Sequence, residues 1–336
     1  MTTTGPATNS EALVRVDNLH VEFRTEAGIV NAVNALSYEV REGETVAILG
    51  ESGSGKSVSA QAIMGIIDSP PGFISQGTIE YRGNDLLKMS EADRRSVRGE
   101  NIAMVFQDAL SALNPVFTVG WQIAEMFRRH RGASKKDARK ETIALLNRVR
   151  IPAAEERIDS YPHEFSGGMR QRVMIAMGIA LSPDVLIADE PTTALDVTVQ
   201  AQIMDLLSEL QQETGMGLVL ITHDLGVVAE VADRVVVMYA GREVEKAEIN
   251  ALFASPRHPY TAGLMQSIPR PDISLDRLEP IQGSPPDLLR IPSGCAFHPR
   301  CPHVQDICRK EVPALRSLER EPDRLSACHF AEEVFQ

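Results

Sequence analysis

The stretch Gly50-Glu51-Ser52-Gly53-Ser54-Gly55-Lys56-Ser57 fits the pattern G-x-x-x-x-G-K-[ST]. It follows an apolar run, Val46–Leu49, that predicts a buried strand, and it precedes Val58, Ala62 and Ile66 at helical spacing. Its glycines allow backbone N–H groups to surround phosphate oxygens at the positive end of the following helix. The order of strand, loop and helix therefore predicts a nucleotide-phosphate site in an α/β fold, rather than a plain glycine-rich turn.

Residues of this loop have separate predicted tasks. Lys56 is expected to reach the β and γ phosphates, and Ser57 is expected to ligate Mg²⁺. The other predicted nucleotide-binding residues in and just after the loop are Gly50, Ser52, Gly53, Ser54, Gly55 and Val58.

Short apolar runs alternate with helical patterns along much of the chain. Val185–Ala188, Leu218–Ile221 and Val235–Tyr239 are strand-sized. One helical face lies between the first two runs and consists of Val199, Ile203, Leu206, Leu207 and Leu210. This alternation predicts a parallel sheet covered by helices. A polar, arginine-rich stretch from about 85 to 165 interrupts it and predicts a helical insertion.

Composition excludes some classes of function. With 43% hydrophobic and 24% charged residues among 336, the chain is typical of a soluble globule with one large and one smaller domain. A net charge of −12 argues against broad nucleic-acid binding, which needs clustered Lys and Arg. No apolar run approaches the ~20 residues that span a bilayer, so a membrane role would come through partners. Residues 1–12 predict a flexible tail rather than a signal peptide, which favours the cytoplasm.

Two further polar motifs are candidates for the same site. Asp189-Glu190 ends an apolar strand, where Asp189 would orient the Mg²⁺ shell and Glu190 would polarise the attacking water. Ser166-Gly167-Gly168 precedes a helix whose N–H donors suit a γ-phosphate. Taken alone, the first pattern is more often a solvated turn and the second an N-cap with flexible glycines.

Over residues 13–253 the order of these motifs resembles the nucleotide-binding subunit of an ABC transporter. The segments that carry the resemblance are the loop at 50–57, Gln107, Phe165-Ser166-Gly167-Gly168-Met169, Asp189-Glu190, Ala194-Leu195-Asp196 and His223. It implies a P-loop, RecA-like nucleotide-binding domain with a β-subdomain and a helical subdomain at about 100–175. It also implies that the Ser-Gly-Gly signature of one subunit closes over ATP on the phosphate loop of another. Phe165 and Met169 replace the commoner Leu and Gln of that signature.

The resemblance assigns roles to four isolated residues. Gln107 would sense Mg²⁺ and the lytic water, Asp196 would contact the opposite subunit, and His223 would hydrogen-bond the γ-phosphate. A lone histidine after a strand is otherwise more often a satisfied structural residue. Phe23 is the candidate for stacking on adenine, although it is almost as readily a core aromatic.

Residues 254–336 are rich in proline and hold every cysteine of the chain. The segments Arg257–Thr261, Ile281–Pro286 and Gly294–Cys301 resemble the carboxy-terminal region of oligopeptide and dipeptide importer ATPases, with nickel importers as relatives. This resemblance implies an ATP hydrolase that energises uptake of di- or oligopeptides. A nickel-importer ATPase is the alternative within the same family.

The four cysteines are candidate metal ligands. They have five, six and nineteen residues between them: Cys295, Cys301, Cys308 and Cys328. Clustered thiols in a cytosolic chain suggest metal more than disulfides. The gaps do not match paired C-x-x-C zinc ribbons, so we favour a [4Fe–4S] cluster over Zn²⁺, with reduced structural cysteines as a third alternative. Three nearby histidines keep zinc open as substitute ligands: His298, His303 and His329.

The predicted partners follow from the ABC resemblance. They are a paralogous ATPase subunit (or a second copy of this chain), two transmembrane permease subunits and, indirectly, an extracytoplasmic peptide-binding protein. The chain would lie at the cytoplasmic face of the cell membrane. A soluble ABC ATPase acting on DNA or ribosomes is an alternative, but it typically carries two nucleotide domains or long coiled-coil insertions, and the sequence shows neither. Another alternative is a regulatory ATPase whose cysteines sense iron or redox state.

Overall fold

The computed structural model describes residues 11–193, 195–267 and 281–334. Its strands are β1 (Val14–Thr25), β2 (Gly28–Val40), β3 (Thr45–Leu49), β4 (Gly72–Tyr81), β5 (Asn84–Asp85), β6 (Ile102–Val105), β7 (Val185–Asp189), β8 (Gly217–Thr222), β9 (Arg234–Tyr239), β10 (Arg242–Glu248), β11 (Arg316–Leu318) and β12 (Glu321–Ser326). Its α-helices are α1 (Lys56–Met64), α2 (Glu91–Val97), α3 (Ala109–Ala112), α4 (Val119–His130), α5 (Lys135–Arg148), α6 (Ala154–Arg157), α7 (Gly167–Ile179), α8 (Val197–Thr214), α9 (Leu225–Val231), α10 (Ile249–Ala254) and α11 (Pro259–Gln266). Three short 3₁₀ turns lie at Pro162–Glu164, His298–Arg300 and Asp306–Arg309.

A small antiparallel sheet forms a β-subdomain from the order β2-β1-β4-β5. The two short apolar runs at 13–16 and 21–23 belong to one long strand, β1, which pairs with both β2 and β4. Register shifts after Val16 bend this strand, and its inward side chains bury an apolar face. That face packs together with α1 and the central strands of the large sheet.

The large sheet has the order β11-β12-β10-β9-β3-β8-β7-β6. Its central strands, from β9 to β6, are parallel, and β10, β12 and β11 extend it in antiparallel pairing. Residues of α7 and α8 pack on one face of the parallel strands. Strands β3 and β8 are buried along their whole length and mostly apolar, because both faces of the sheet are covered. The predicted parallel sheet covered by helices, and with it the α/β cassette fold, is confirmed.

The parallel strands position the candidate site. The chain leaves β3 into the phosphate loop, β7 ends on Asp189, and β8 is followed by His223. The edge strand β6 leads to Gln107. Because these four strands are neighbours and run in the same direction, their carboxyl ends bring these distant residues to one edge of the sheet.

The structure differs from the sequence-based expectation at β6. This strand lies inside the stretch for which a helical insertion is predicted, and all four of its residues are buried. The apolar run that contains this strand, Ile102–Phe106, is too short a pattern to distinguish a strand from part of a buried helix. The predicted helices are present around it, with α4 and α5 packed against each other and against α7.

The carboxy-terminal part shares the large sheet. Strand β12 pairs with β10, where Glu245 is opposite Ser326. A buried ion pair reinforces this junction, because Arg324 Nη2 lies 2.6 Å from Glu245 Oε1 and both side chains are almost fully enclosed. Three sets of residues lie outside the described ranges: residues 1–10 of the predicted tail at 1–12, Ala194 of the predicted subunit-contact segment, and the prolines at 269, 271 and 280. In the described ranges, no helix is both long and apolar enough to cross a bilayer.

Candidate nucleotide site

The phosphate loop requires its glycines for two reasons. Gly55, the N-cap of α1, has φ 99°, a left-handed conformation that side chains disfavour. A Cβ on Gly55 would lie 2.1 Å from the carbonyl oxygen of Ala32, and one on Gly50 would lie 2.4 Å from that of Met238. The loop therefore passes against neighbouring backbone that leaves no room for side chains at these two positions.

The side chain of Lys56 folds back into the phosphate loop. Its Nζ donates hydrogen bonds to the carbonyl oxygens of Gly50, at 2.7 Å, and Glu51, at 3.0 Å. Burial lowers the pKa of Lys56, and neighbouring carboxylates oppose that effect, with Glu190 Oε1 at 3.8 Å from Nζ. The ammonium group is thus enclosed by backbone oxygens at the centre of the loop, where incoming phosphate oxygens can replace them.

Ser57 and Asp189 form the candidate magnesium pair. The Ser57 hydroxyl donates to Asp189 Oδ1 at 2.9 Å, which joins the start of α1 to the end of β7. Asp189 is only 4% exposed, and burial raises its pKa. A hydroxyl and a buried carboxylate beside a phosphate loop form a hard oxygen pair of the kind that suits Mg²⁺.

Glu190 is at the centre of a cluster of polar side chains at the carboxyl ends of β6, β7 and β8. Its Oε2 accepts hydrogen bonds from Gln107 Nε2 at 3.1 Å and from Thr193 Oγ1 at 2.9 Å, and it lies 3.5 Å from His223 Nδ1. Glu190 has φ 44°, which is unusual for a residue with a side chain. Such backbone strain is concentrated at functional sites, because the surrounding structure has to hold the residue in place. The three residues that sequence reasoning placed in catalysis therefore meet here.

A cavity of about 780 Å³ is lined by the phosphate loop and by the polar cluster around Glu190; Asp189 and Thr193 are not among its lining residues. Its volume is within the range usual for small-molecule sites. Predicted site residues that line it are Phe23, Gly50, Ser52, Gly53, Ser54, Gly55, Lys56, Ser57, Val58, Gln107, Glu190 and His223. The buried hydroxyl of Ser54 has no hydrogen-bond partner among the described residues, which leaves it available to a ligand in the loop.

The signature segment lies outside this cavity. Ser166 caps α7 by accepting a hydrogen bond from Met169 N at 3.4 Å, and both Ser166 and Gly167 are exposed. Gly168 is needed for packing, since a Cβ there would lie 2.6 Å from Val199 on α8. Asp196 is also exposed and caps α8 through Val199 N at 3.0 Å. None of these predicted nucleotide-binding residues lines the chain's own cavity.

Several contributors to the site are not found by sequence reasoning. Thr193 supports Glu190 from three residues further on, and that short spacing is the only available signal. Glu51 donates its backbone N–H to the Tyr260 hydroxyl at 2.8 Å, and Leu264 and Leu288 line the cavity. Tyr260, Leu264 and Leu288 come from the carboxy-terminal part, where no local pattern relates them to the loop.

The four cysteines line one small cavity in the carboxy-terminal part, together with four histidines: His258, His298, His303 and His329. Burial raises the pKa of Cys295 and of Cys328 to about 11, and the other thiols of the group add to that shift. Within the described ranges no set of three or more His, Cys, Asp or Glu side chains has an arrangement that holds a metal ion. The cavity therefore brings four sulfur atoms to one place without the arrangement of a bound metal ion.

Comparisons with known proteins agree with this geometry. Residues 33–193 match the family model of the ABC transporter, and residues 244–308 match that of the oligopeptide/dipeptide transporter, C-terminal region. The chain is 51% identical to the dipeptide transport ATP-binding protein DppD of Escherichia coli over 95% of this chain and 97% of that protein. It is 49% identical to the oligopeptide transport ATP-binding protein OppD of Salmonella typhimurium, over 95% of this chain and 94% of that one.

Solved structures show the same cassette. A bacterial ABC transporter cassette in dimeric form aligns with a TM-score of 0.63 and 28% identity, over 70% of this chain and 98% of that one. The same cassette bound to ADP and Pi, in a post-hydrolysis state, aligns equally well. The protein cbiO1 of Clostridium perfringens, part of the transporter complex cbiONQ, aligns with a TM-score of 0.61 and 30% identity, over 73% of this chain and 92% of that one. The chain therefore belongs to the ABC transporter family, as an ATPase cassette that carries the carboxy-terminal region of oligopeptide/dipeptide transporters.

Proposed function

We propose that this chain is the ATP-hydrolysing subunit of an importer for dipeptides or oligopeptides. The observation that carries the proposal is the 51% identity to a dipeptide transport ATP-binding protein across 95% of the chain. That identity extends beyond the cassette into the region that matches the peptide-transporter model at 244–308. A role in peptide uptake accounts for both parts of the sequence.

Triphosphate binding is assigned to the loop at 50–57. Lys56 donates hydrogen bonds to two oxygens of the loop, and the buried Ser54 hydroxyl, which has no partner among the described residues, can bind a phosphate oxygen. Backbone N–H groups at the start of α1 supply further donors for phosphate. Mg²⁺, held by Ser57 with Asp189 and Gln107 near it, would neutralise charge on the transferring phosphoryl group.

Hydrolysis is assigned to the polar group around Glu190. Its carboxylate would orient and polarise the attacking water, which is the positioning that phosphoryl transfer requires. Gln107 and Thr193 hold this carboxylate by hydrogen bonds. His223 is exposed beside it, and its imidazole would contact the γ-phosphate.

Completion of the site is assigned to a second ATPase subunit. Ser166, Gly167 and Asp196 are exposed at helix starts and lie outside their own cavity, as groups that serve a neighbouring subunit would be. The helix start at Ser166 would offer its N–H donors to the γ-phosphate of the partner. We assign the partner as a paralogous ATPase, with a second copy of this chain as the alternative.

Coupling to transport is assigned to separate membrane subunits. The described part of the chain has no helix that could span a bilayer, so two permease subunits would form the path, and a peptide-binding protein would deliver cargo outside the membrane. The chain would bind the permeases at the cytoplasmic face. Two bound ATP molecules would favour the closed pair of ATPases, and product release would reopen it.

We assign a [4Fe–4S] cluster to Cys295, Cys301, Cys308 and Cys328, with Zn²⁺ as the alternative. The support is that all four thiols line one cavity. Four cysteine ligands are usual for such a cluster. The group would act as a structural tie for the carboxy-terminal part, and the site around it offers no redox substrate.

The decisive experiment is reconstitution of the complete transporter in vesicles with short peptides and with nickel ions. Dipeptides or oligopeptides should stimulate ATP hydrolysis and accumulate inside, and Lys56→Ala should abolish both effects. Stimulation by nickel alone would move the function to metal import. An ATP hydrolysis rate that neither the membrane subunits nor the cargo changes would contradict the transport role.

A further inference from the structure

Apolar side chains from two different parts of the chain line the nucleotide cavity. Phe23 and Val30 come from the β-subdomain, whereas Leu264 on α11 and Leu288 come from the carboxy-terminal part. Both leucines are half-buried and pack against the apolar cluster that includes Tyr239 and Tyr260. The two leucines are therefore held in place by packing against this apolar cluster.

The segment that carries Leu288, residues 281–290, is held in place at several points. Arg300 Nε donates to the carbonyl oxygen of Gln282 at 3.1 Å. The Asp287 side chain accepts from Leu289 N at 2.9 Å, and the Asp287 carbonyl accepts from Arg290 N at 2.9 Å. The Leu289 side chain lies over Gly28, 3.5 Å from the position of a Cβ there. The segment is therefore attached to the 3₁₀ turn at 298–300 and to the tip of the β1–β2 hairpin.

The two ends of the cavity differ in chemistry. The phosphate loop supplies an ammonium group and N–H donors at one end. The lining residues that do not belong to the loop or abut it are mostly apolar and include Phe23, Val30, Pro71, Leu264 and Leu288. A flat apolar ligand group joined to a polyphosphate matches this division, because burial of its faces favours the apolar end and charge favours the loop.

We propose that Leu264 and Leu288 form the second wall of the nucleobase site, opposite Phe23. The carboxy-terminal part then contributes directly to ATP affinity in the same chain that holds the phosphates. The inference rests on the proposed assignment of the triphosphate to the loop at 50–57. Since these leucines have no polar side-chain atoms, they act by covering the base and not by selecting among its hydrogen-bonding groups.

The test is the dissociation constant of MgADP, measured by calorimetry on the full chain. Leu288→Ala and Leu264→Ala should each weaken binding about tenfold, the range expected for lost apolar contact. Leu289→Ala is the matched control, because it removes the same side chain from the same segment but outside the cavity. It should leave the constant unchanged, and Leu288→Met, which retains apolar contact, should stay within about threefold.

Two outcomes would overturn the inference. Unchanged affinity in both alanine variants would mean that the leucines do not touch the base. Tighter binding would mean that the leucine side chains fill space that the base needs. Lys56→Ala separates this failure from that of the proposed function. If Lys56→Ala abolishes binding while the leucine variants do not weaken it, only the second wall is wrong; if Lys56→Ala also has no effect, the loop assignment fails.

Discussion

Arg300 holds Glu51 of the phosphate loop through both ends of its guanidinium group. Nη1 lies 2.6 Å from Oε2 and Nη2 lies 3.0 Å from Oε1. The Arg300 side chain is only 5% exposed, and it lies against the rings of Tyr239 and Phe297. Because Arg300 lies between Cys295 and Cys301 in sequence, this ion pair connects the cysteine region to the nucleotide loop.

Breaking this pair should loosen the loop. Arg300→Ala removes a nearly buried cation and leaves the Glu51 carboxylate without its fork of donors, so nucleotide affinity should fall by roughly five- to twentyfold and the melting temperature should drop. Arg300→Lys should recover little of the loss, because an ammonium group cannot bind both carboxylate oxygens in the same geometry. Calorimetric titration with MgADP and thermal unfolding measure these effects.

The control for Arg300 is Arg290→Ala, which removes an exposed arginine from the neighbouring segment. It should change neither quantity. A double-mutant cycle with Glu51→Ala should show strong coupling in thermal stability, since the two side chains contact each other directly. Independent, additive effects would show that the Arg300 contribution comes from its other contacts.

Glu190→Gln should separate ATP binding from hydrolysis. The amide retains the size of the side chain but cannot polarise water, so phosphate release should fall by about 100-fold or more while MgATP still binds. In the purified complex the closed pair of ATPases should accumulate and be seen by size or crosslinking. Glu209→Gln, which changes an exposed carboxylate on α8, should behave like the parent protein. Normal steady-state turnover by Glu190→Gln would rule out its assigned role.

A negative charge at Ser166 should block the composite site without damaging α7. Aspartate caps helices as well as serine does, but it would repel the γ-phosphate of a facing subunit. Ser166→Asp should therefore reduce ATP turnover by the complex at least about tenfold while the melting temperature stays nearly constant. Ser134→Asp introduces the same charge at the cap of α5 and controls for turnover, which it should leave unchanged, although repulsion from Asp137 should cost some thermal stability. Equal losses in the two variants would argue against a role for Ser166 in a partner's site.

Metal analysis decides the nature of the cysteine group. After anaerobic purification we expect about four iron and four sulfide ions per chain. Changing any one of the four cysteines to serine should reduce both contents and lower thermal stability. Stoichiometric zinc without sulfide would replace the cluster with a zinc site, and absence of both metals would leave structural thiols.

Much of the site is predictable from local patterns. The loop at 50–57 could be identified because its pattern, the preceding strand and the following helix are all contiguous. Glu190 and His223 could be placed only through the family resemblance, because the local pattern of each equally suits a structural residue; their strands then end at the same edge of the sheet. The short strand β6 could not be predicted, because so short an apolar run contains too little periodicity.

The amino-acid sequence alone determined that this chain has a parallel α/β cassette, a phosphate loop and an acidic strand end, since each is written in consecutive residues. Only the tertiary structure decided that Arg300, Tyr260 and Leu288 meet the nucleotide loop and its cavity. These contacts join residues more than 200 positions apart in the chain. They arise because the carboxy-terminal part packs in one apolar cluster with β3, β9 and β10, and no local pattern encodes which distant surfaces such packing brings together.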